Sequence, residues 1–335
     1  MNILQKTIFK FGLDGICPPK RIQNTRRNSV IMFGECHAHF LMDGVNYKKA
    51  VELHKNGVND ADIRAKFSEY AKRAISYVRD GGDGHGVSER AVHLAGEYGI
   101  TYRTPVFAIH KKGHYGGIVG HAFSDWKEYE ALVKEVRARG GNFIKVMFSG
   151  ILDFGNCGAV TEPPLLREEI REMIHIAHEE GFAVMAHVNG AQAVKDAVEA
   201  GVDSVEHGNF VDETCLQALA ASETVWVPTF VTITNLIGGG RFDDDAIRCL
   251  KMEQGERIRR GFELGVKIAL GSDAGAWRVL HGQGLMDEYR ELTHLMTEPE
   301  KTEKNGMEEP EKFILTRADL DRRLKEAEEI IRRKF

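Results

Sequence analysis

VIMFGECHAH, residues 30–39, joins a short apolar run to two histidines spaced two residues apart. Alternate residues of a β-strand point to the same face, so His37 and His39 are expected to point the same way. Two imidazoles on one face can bind one metal ion. An H-x-H pair alone is a weak indication in a chain with 14 histidines, because such pairs arise by chance.

Four further apolar, strand-like runs end in, or are interrupted by, a polar residue of the kind that metal sites use. They are NFIKVMF (142–148) with Lys145, FAVMAH (182–187) with His187, DSVEH (203–207) with His207, and VKIALGS (266–272) followed by Asp273. A charged lysine in such a run is costly unless it is paired or chemically changed. Each residue alone has an ordinary alternative, as a snorkelling lysine or a core histidine. All five segments together favour a single metal site.

The order of elements along the chain predicts the fold. Helical patterns separate the strand-like runs; one spans 124–139, and another spans 166–180 and ends before Gly181. This alternation, repeated about eight times, predicts an α/β fold of the (β/α)8 TIM barrel type. The C-terminal strand ends of such a barrel share one mouth, where distant residues converge. The strand-like runs lie near 30–36, 75–79, 103–109, 143–148, 182–187, 203–207, 225–230 and 266–271.

The ordered set His-x-His, Lys, His, His, Asp resembles that of the amidohydrolase superfamily of metal-dependent hydrolases. Lys145 resembles the lysine found in the branch of this superfamily that binds two metal ions. The resemblance is to imidazolonepropionase-related and prolidase-like members, over about residues 30–296, and it departs at Asn189, where many relatives have another histidine. The segments that carry it are VRDGG (78–82), FIKVM (143–147), AHVNG (186–190), SVEHG (204–208) and GSDAG (271–275).

The resemblance implies a metal centre with two divalent ions. Zinc is the expected metal, with manganese, iron and cobalt as alternatives for a mixed nitrogen and oxygen ligand set. A hydroxide shared by the two ions would attack the substrate, and Asp273 would pass the proton to the leaving nitrogen. The implied ligands are His37, His39 and Asp273 at one ion, His187 and His207 at the other, and a bridging Lys145 that carbon dioxide has carboxylated.

Substrate contacts are expected from the loops after the third and eighth predicted strands, which are rich in hydrogen-bond donors. The candidates are His110, His114, Tyr115, Arg278 and His281. Arg278 and the histidines suit a carboxylate-bearing substrate such as a dipeptide or an N-acyl amino acid. The predicted reaction is therefore hydrolysis of a C–N bond in an amide, dipeptide-like or cyclic amide substrate. Lactone or ester hydrolysis, ring deamination and a metal-binding but catalytically idle protein stay open as alternatives.

Composition limits the class of protein. The 335 residues are 42% hydrophobic and 28% charged, enough for one large core. The formal net charge of −5, with both signs interspersed, predicts neither nucleic-acid nor membrane binding and favours a small-molecule substrate. The five cysteines, an odd number without a CxxC pair, favour the reducing cytoplasm. No signal peptide or membrane span is predicted.

We expect three parts in the chain: an N-terminal arm or hairpin over 1–28, a metal-dependent hydrolase barrel over 29–297, and a charged linker with a C-terminal helix over 298–335. The first part is shorter than the strands with which relatives build a flanking β-sandwich. That sandwich is therefore expected to be reduced or absent. The last part is interpreted as solvated structure or as packing for a partner subunit, and we expect a homo-oligomer.

Overall fold

The computed structural model describes residues 33–155, 158–298 and 313–335. In these residues helices and strands alternate from Trp126 to Val227, and a 3-10 turn spans Gly96–Tyr98. The strands are β1 (Glu35–Ala38), β2 (Tyr77–Asp80), β3 (Thr101–Arg103), β4 (Ala108–Lys111), β5 (Gly120–Phe123), β6 (Ile144–Met147), β7 (Val184–Val188), β8 (Ser204–His207) and β9 (Val225–Val227). The helices are α1 (Tyr47–Leu53), α2 (Asp60–Lys72), α3 (Val87–Ala95), α4 (Trp126–Ala138), α5 (Arg167–Glu179), α6 (Ala191–Glu199), α7 (Glu213–Ala221), α8 (Val231–Thr234), α9 (Asp244–Leu264), α10 (Gln283–Thr297) and α11 (Arg317–Lys334).

The described strands form two sheets, and every pairing between them is parallel. Their orders are β1-β2-β3 and β5-β4-β6-β7-β8-β9. Met147 pairs with His187, and Val188 pairs with His207. Because the strands run the same way, their C-terminal ends meet at one edge of the sheet. This register offsets Lys145 and His187 by two residues, and His187 and His207 by one residue, so the predicted ligands of neighbouring strands lie near the same edge.

The predicted eighth strand, 266–271, takes part in both sheets through backbone hydrogen bonds. On one side, the backbone N–H of Trp226 in β9 donates to Lys267 O at 2.8 Å. On the other side, the N–H of Cys36 in β1 donates to Leu270 O at 3.1 Å. Its only ladder contact to β9 is an isolated parallel bridge between Trp226 and Ile268. The segment therefore lies between β9 and β1 without forming a regular strand.

The prediction of one continuous strand over 103–109 is wrong, because the structure divides this region into β3 and β4. Pro105 has no N–H to donate, and Val106 has a φ of 70°, which no regular strand tolerates. β5 follows a further loop and pairs only with β4, at the edge of the second sheet. The helices predicted over 124–139 and 166–180 are present as α4 and α5.

The predicted C-terminal helix is α11, and it packs on the N-terminal ends of the strands. Its buried residues join a cluster with apolar side chains from six strand segments, at the end of the sheet opposite to the predicted ligands. The cluster contains Cys36, Tyr77, Phe143, Met185, Val225, Val227, Ala269, Ala327, Ile331 and Phe335. α11 therefore covers one end of the strands and leaves the other for a site.

Two predictions fall outside the described residues: the arm over 1–28 and the linker over 299–312. Within the described ranges, no helix is both long and apolar enough to cross a membrane.

Candidate metal centre

Three ligand atoms lie close together at the end of β1. His37 Nε2 lies 3.4 Å from His39 Nε2, and Asp273 Oδ1 lies 3.5 Å and 3.4 Å from these two nitrogens. A tetrahedral zinc ion with ligands at about 2.0–2.1 Å holds neighbouring ligand atoms about 3.3 Å apart. The spacing of the three atoms therefore fits one shared metal ion. In the described part of the chain, no other His, Cys, Asp or Glu side chains form such a group of three.

Both imidazoles are in the protonation state that a metal requires. Burial lowers the pKa of His37 well below its usual value, and the neighbouring Lys145 lowers it further. Burial, again with Lys145, lowers the pKa of His39 to about 3. Both side chains are thus neutral at physiological pH and keep a lone pair for a cation.

Lys145 lies on β6 and is 1% exposed. Its Nζ has no hydrogen-bond partner among the described residues. Burial lowers the pKa of the amine, and the carboxylates of Glu206 and Asp273 oppose that shift. Buried polar groups in folded proteins are nearly always paired, so an unpaired amine at this position indicates a missing partner or a chemical modification.

His187 and His207 face each other across the end of the sheet, with ring centroids 4.6 Å apart. In each ring one nitrogen has a protein partner: His187 Nε2 lies 3.1 Å from Gly150 O, and His207 Nδ1 lies 2.7 Å from Thr229 Oγ1. The second nitrogen of each ring stays available to a cation. Burial holds the pKa of both side chains well below the usual value.

Three residues of this site have positive φ angles, a backbone conformation that residues other than glycine rarely adopt. The φ angle is 66° at His207, 47° at Thr229 and 60° at Asp273. Each lies at or just beyond the end of a strand-like run, where the left-handed turn redirects the side chain. Strained residues of this kind concentrate at functional sites.

Glu206 and Arg79 form a buried support beneath His37. Glu206 Oε2 lies 2.8 Å from His37 Nδ1, while Glu206 Oε1 accepts hydrogen bonds from Arg79 Nη2 at 2.8 Å and from Ser204 Oγ at 2.6 Å. A carboxylate this close to Nδ1 favours the tautomer with its proton on that nitrogen, which leaves Nε2 for a metal. Sequence reasoning missed this role, although an acidic residue within the apolar run DSVEH was a visible signal.

Two further buried groups fix the strand ends. Glu35 accepts hydrogen bonds from the backbone N–H of Ser272 at 2.7 Å and from its hydroxyl at 2.6 Å, which holds the segment with Asp273 against β1. Asn189 donates to Gly150 O at 3.0 Å and accepts from the Asn209 side chain at 2.8 Å. Asn189 therefore braces the loops beside His187.

The site opens into a cavity of about 460 Å³. The predicted ligands His39, Lys145, His187, His207 and Asp273 line it, and His37 lies beneath them. Two apolar walls flank this floor. The first wall consists of Met42, Tyr115, Val119 and Met147. The second wall consists of Leu152, Phe154, Leu236, Phe242 and Trp277.

Of the five predicted substrate contacts, the structure places only Tyr115 in the described cavity lining. His110 is buried, with Nδ1 3.1 Å from Lys111 O. His281 is buried between the Tyr70 hydroxyl and Met42 O, which lie 3.1 Å and 2.8 Å from its ring nitrogens.

The other two expected contacts also lie away from the lining. His114 lies in the turn after β4, and its backbone N–H donates to Lys111 O. Arg278 is exposed and donates to Asn235 O. The arginine that does line the cavity is Arg241, with its guanidinium carbon 5.2 Å from the ring centroids of both Phe242 and Trp277. No local sequence pattern distinguishes it from other surface arginines.

Comparison with known proteins gives sequence and structural relatives. An uncharacterized protein of Mycobacterium tuberculosis is 28% identical over 179 residues, which cover 51% of this chain and 46% of that protein. Ochratoxinase of Aspergillus niger is 24% identical over 322 residues, which cover 81% of this chain and 64% of that protein. The chain thus spans about half to two thirds of the length of these relatives.

Among solved structures, a Xaa-Pro dipeptidase with bound methionine superimposes with a TM-score of 0.65 at 19% identity, covering 90% of this chain and 75% of that one. This similarity concerns the fold. Residues 90–316, more than half of the chain, match the sequence profile of the amidohydrolase family. The chain belongs to the amidohydrolase family.

Proposed function

We propose that this protein is a metal-dependent hydrolase that cleaves a C–N bond of an amide or dipeptide-like substrate. One observation carries the proposal: His37, His39 and Asp273 present three ligand atoms within 3.5 Å of one another at the floor of a cavity. The lining of this cavity also includes Lys145, whose amine has no hydrogen-bond partner among the described residues. A purely structural cluster would leave neither the amine unpaired nor the cavity open above it.

The proposed architecture is one (β/α)8 barrel. Residues 266–271 hydrogen-bond to β9 and to β1, and β3 and β4 are two parts of one chain segment shared between the sheets. A closed arrangement of this kind would explain why His39, which follows β1, and residues of β6, β7 and β8 line the same cavity. The division of the chain at residues 28 and 297, the cytoplasmic location and the homo-oligomer stay predictions.

We infer a site for two cations, and zinc stays our first choice. His37, His39 and Asp273 would hold one ion, and His187 and His207 the other. Bound divalent ions would polarise the scissile carbonyl and lower the pKa of water. The neutral amine of Lys145 would attack carbon dioxide and lose a proton, and the resulting carbamate would offer two oxygen atoms as metal ligands. Burial favours this reaction because it disfavours the protonated amine.

Asp273 is the residue placed to move a proton. Burial raises the pKa of its carboxyl, and the charges of Glu35 and Glu206 act in the same direction, although Lys145 opposes them. A carboxylate next to the attacking water can accept its proton and return it. Asp273 would therefore accept a proton from the attacking water and deliver it to the departing nitrogen, which must leave as an amine.

The cavity favours a substrate with two apolar arms and one negative charge. The two apolar walls would take the groups on either side of the scissile bond. Arg241 lies at the second wall, and Lys48 also lines the cavity, whereas Asp273 is the only acidic residue in the described lining. A carboxylate on the arm that contacts Phe242 and Trp277 would pair with Arg241. Membership of the amidohydrolase family supports hydrolysis of a C–N bond.

Metal analysis of purified protein tests the proposal, with wild type compared with Lys145→Ala in the presence and absence of bicarbonate. We expect about two divalent ions per chain in wild type and fewer in the variant. A panel of N-acyl aromatic amino acids, dipeptides and lactones is then assayed with and without chelator. Amide turnover that the chelator abolishes and zinc restores supports the proposal. Turnover of the lactones alone, or metal without any turnover, contradicts it.

A further inference from the structure

Phe335, which follows α11, lies against the far end of the support beneath His37. Its ring centroid is 4.4 Å from the guanidinium carbon of Arg79, and its ring meets that of Phe143 edge-on at 5.2 Å. Phe335 is 6% exposed and Arg79 is fully buried. The ring therefore shields one face of a buried cation from solvent.

Three N–H groups of that guanidinium donate hydrogen bonds. Arg79 Nε donates to Cys36 O at 2.7 Å, Nη1 to Ser204 Oγ at 2.9 Å, and Nη2 to Glu206 Oε1 at 2.8 Å. The Phe335 ring packs against this guanidinium, and the Phe143 ring centroid lies 6.0 Å from the same guanidinium carbon. A guanidinium over an aromatic ring is attracted by the π electrons, and the attraction is strongest without water.

Glu206 connects Arg79 to the candidate metal ligand His37. One oxygen of Glu206 accepts a hydrogen bond from Arg79, and the other lies 2.8 Å from His37 Nδ1. Charge pairs weaken when water enters, because the local dielectric rises. A gap in place of the Phe335 ring would admit water beside Arg79 and weaken the hydrogen bond between Arg79 and Glu206. Glu206 would then hold the His37 ring less firmly in its orientation.

We propose that Phe335 is a positioning residue for the metal centre, acting through Arg79 and Glu206 on His37. The helix α11 would thus serve the site from the opposite end of the strands. This inference rests on the proposed metal site. The inference adds that metal affinity depends on Phe335, a residue that contacts neither the metal nor the substrate.

Phe335→Leu tests the proposal, because leucine keeps an apolar side chain but has no ring to stack. Phe335→Met is made in parallel, since its flexible side chain fills space if the leucine variant folds poorly. Ile331→Val is the matched control, because Ile331 lies on α11 in the same apolar cluster as Phe335 and has no ring to place over Arg79. Zinc affinity is measured by competition with a chromophoric chelator on folded full-length protein. Both Phe335 variants are also combined with Glu206→Gln.

Loss of a direct partner of a metal-bound histidine weakens metal binding about 10- to 100-fold. For the more distant Phe335 we expect about three- to tenfold weaker zinc binding, and less than about twofold for Ile331→Val. In the Glu206→Gln background the effect of Phe335→Leu should disappear, because the connection to His37 is already broken. Equal zinc affinity in wild type and both Phe335 variants overturns the inference, as does an undiminished effect in the Glu206→Gln background. A wild-type protein that binds no zinc overturns the metal site and the inference together.

Discussion

The carboxylate of Glu206 lies 2.8 Å from Nδ1 of His37, and both side chains are fully buried. His207 follows Glu206 directly in the chain, yet its ring centroid also lies 5.1 Å from that of His37. Neighbouring strand residues normally point to opposite faces. The positive φ of His207 removes that constraint at the strand end. The strand β8 thus supplies both the candidate ligand His207 and Glu206, which orients the candidate ligand His37.

Glu206→Gln should weaken zinc binding by about 10- to 100-fold, because the amide leaves Arg79 without its charge partner and holds the His37 proton less firmly. Chelator competition measures the affinity. Glu291→Gln is the control, since Glu291 pairs with Lys251 at 2.7 Å between α9 and α10. An unchanged zinc affinity in Glu206→Gln would mean that the carboxylate does not orient the ligand.

Asp273→Asn should retain much of the bound metal while turnover falls by about 10²- to 10⁴-fold, because an amide cannot accept and return the proton. Metal content and steady-state turnover are measured on the same preparation. Asp60→Asn is the control, because it changes an exposed carboxylate paired with Arg90. Turnover equal to wild type in the Asp273 variant would show that another group moves the proton.

Arg241→Gln should raise KM for a carboxylate-bearing amide about 10- to 100-fold, with little change for the matching neutral amide, because a hydrogen bond to a charged group is lost. Arg278→Gln provides the comparison, since Arg278 lies outside the described cavity lining. Initial rates with the two substrates give KM for each, and a change confined to the charged amide distinguishes loss of charge recognition from a general loss of activity. If Arg278→Gln shows the larger change, the loop carrying Arg278 recognises the carboxylate.

Stability should depend on pH through Glu288, which is buried and accepts backbone hydrogen bonds from Phe230 and Val231 at 3.0 Å and 2.8 Å. Burial raises the pKa of this carboxyl from 4.5 to about 8. The folded chain then holds a proton that the unfolded chain has released, so stability falls as pH rises between these two values.

Denaturant unfolding from pH 5 to 8 should show wild type losing free energy of unfolding relative to Glu288→Gln, by at most about 1.4 kcal/mol per pH unit. The contribution of the candidate metal ligands is common to both proteins and cancels in the difference. A difference that is constant with pH would place the pKa of Glu288 near its usual value.

Much of the candidate site could be predicted from the sequence. The positions of His37, His39, Lys145, His187 and His207 follow from apolar runs that a polar residue ends or interrupts, and such runs form parallel strands whose ends meet. The family profile bears out the resemblance on which the ligand set was built. The break between β3 and β4 was harder to foresee, because Pro105 is visible in the sequence but the left-handed backbone of Val106 is not.

The sequence by itself determined which side chains stand at the strand ends, because the period of a strand and the cost of burying a charge are local properties of the chain. Only the tertiary structure decided that Arg79 pairs with Glu206, that Arg241 and not Arg278 faces the cavity, and that Phe335 reaches the support beneath His37. These contacts join residues far apart in the chain. Their side-chain directions depend on backbone turns and helix positions that only the complete packing fixes.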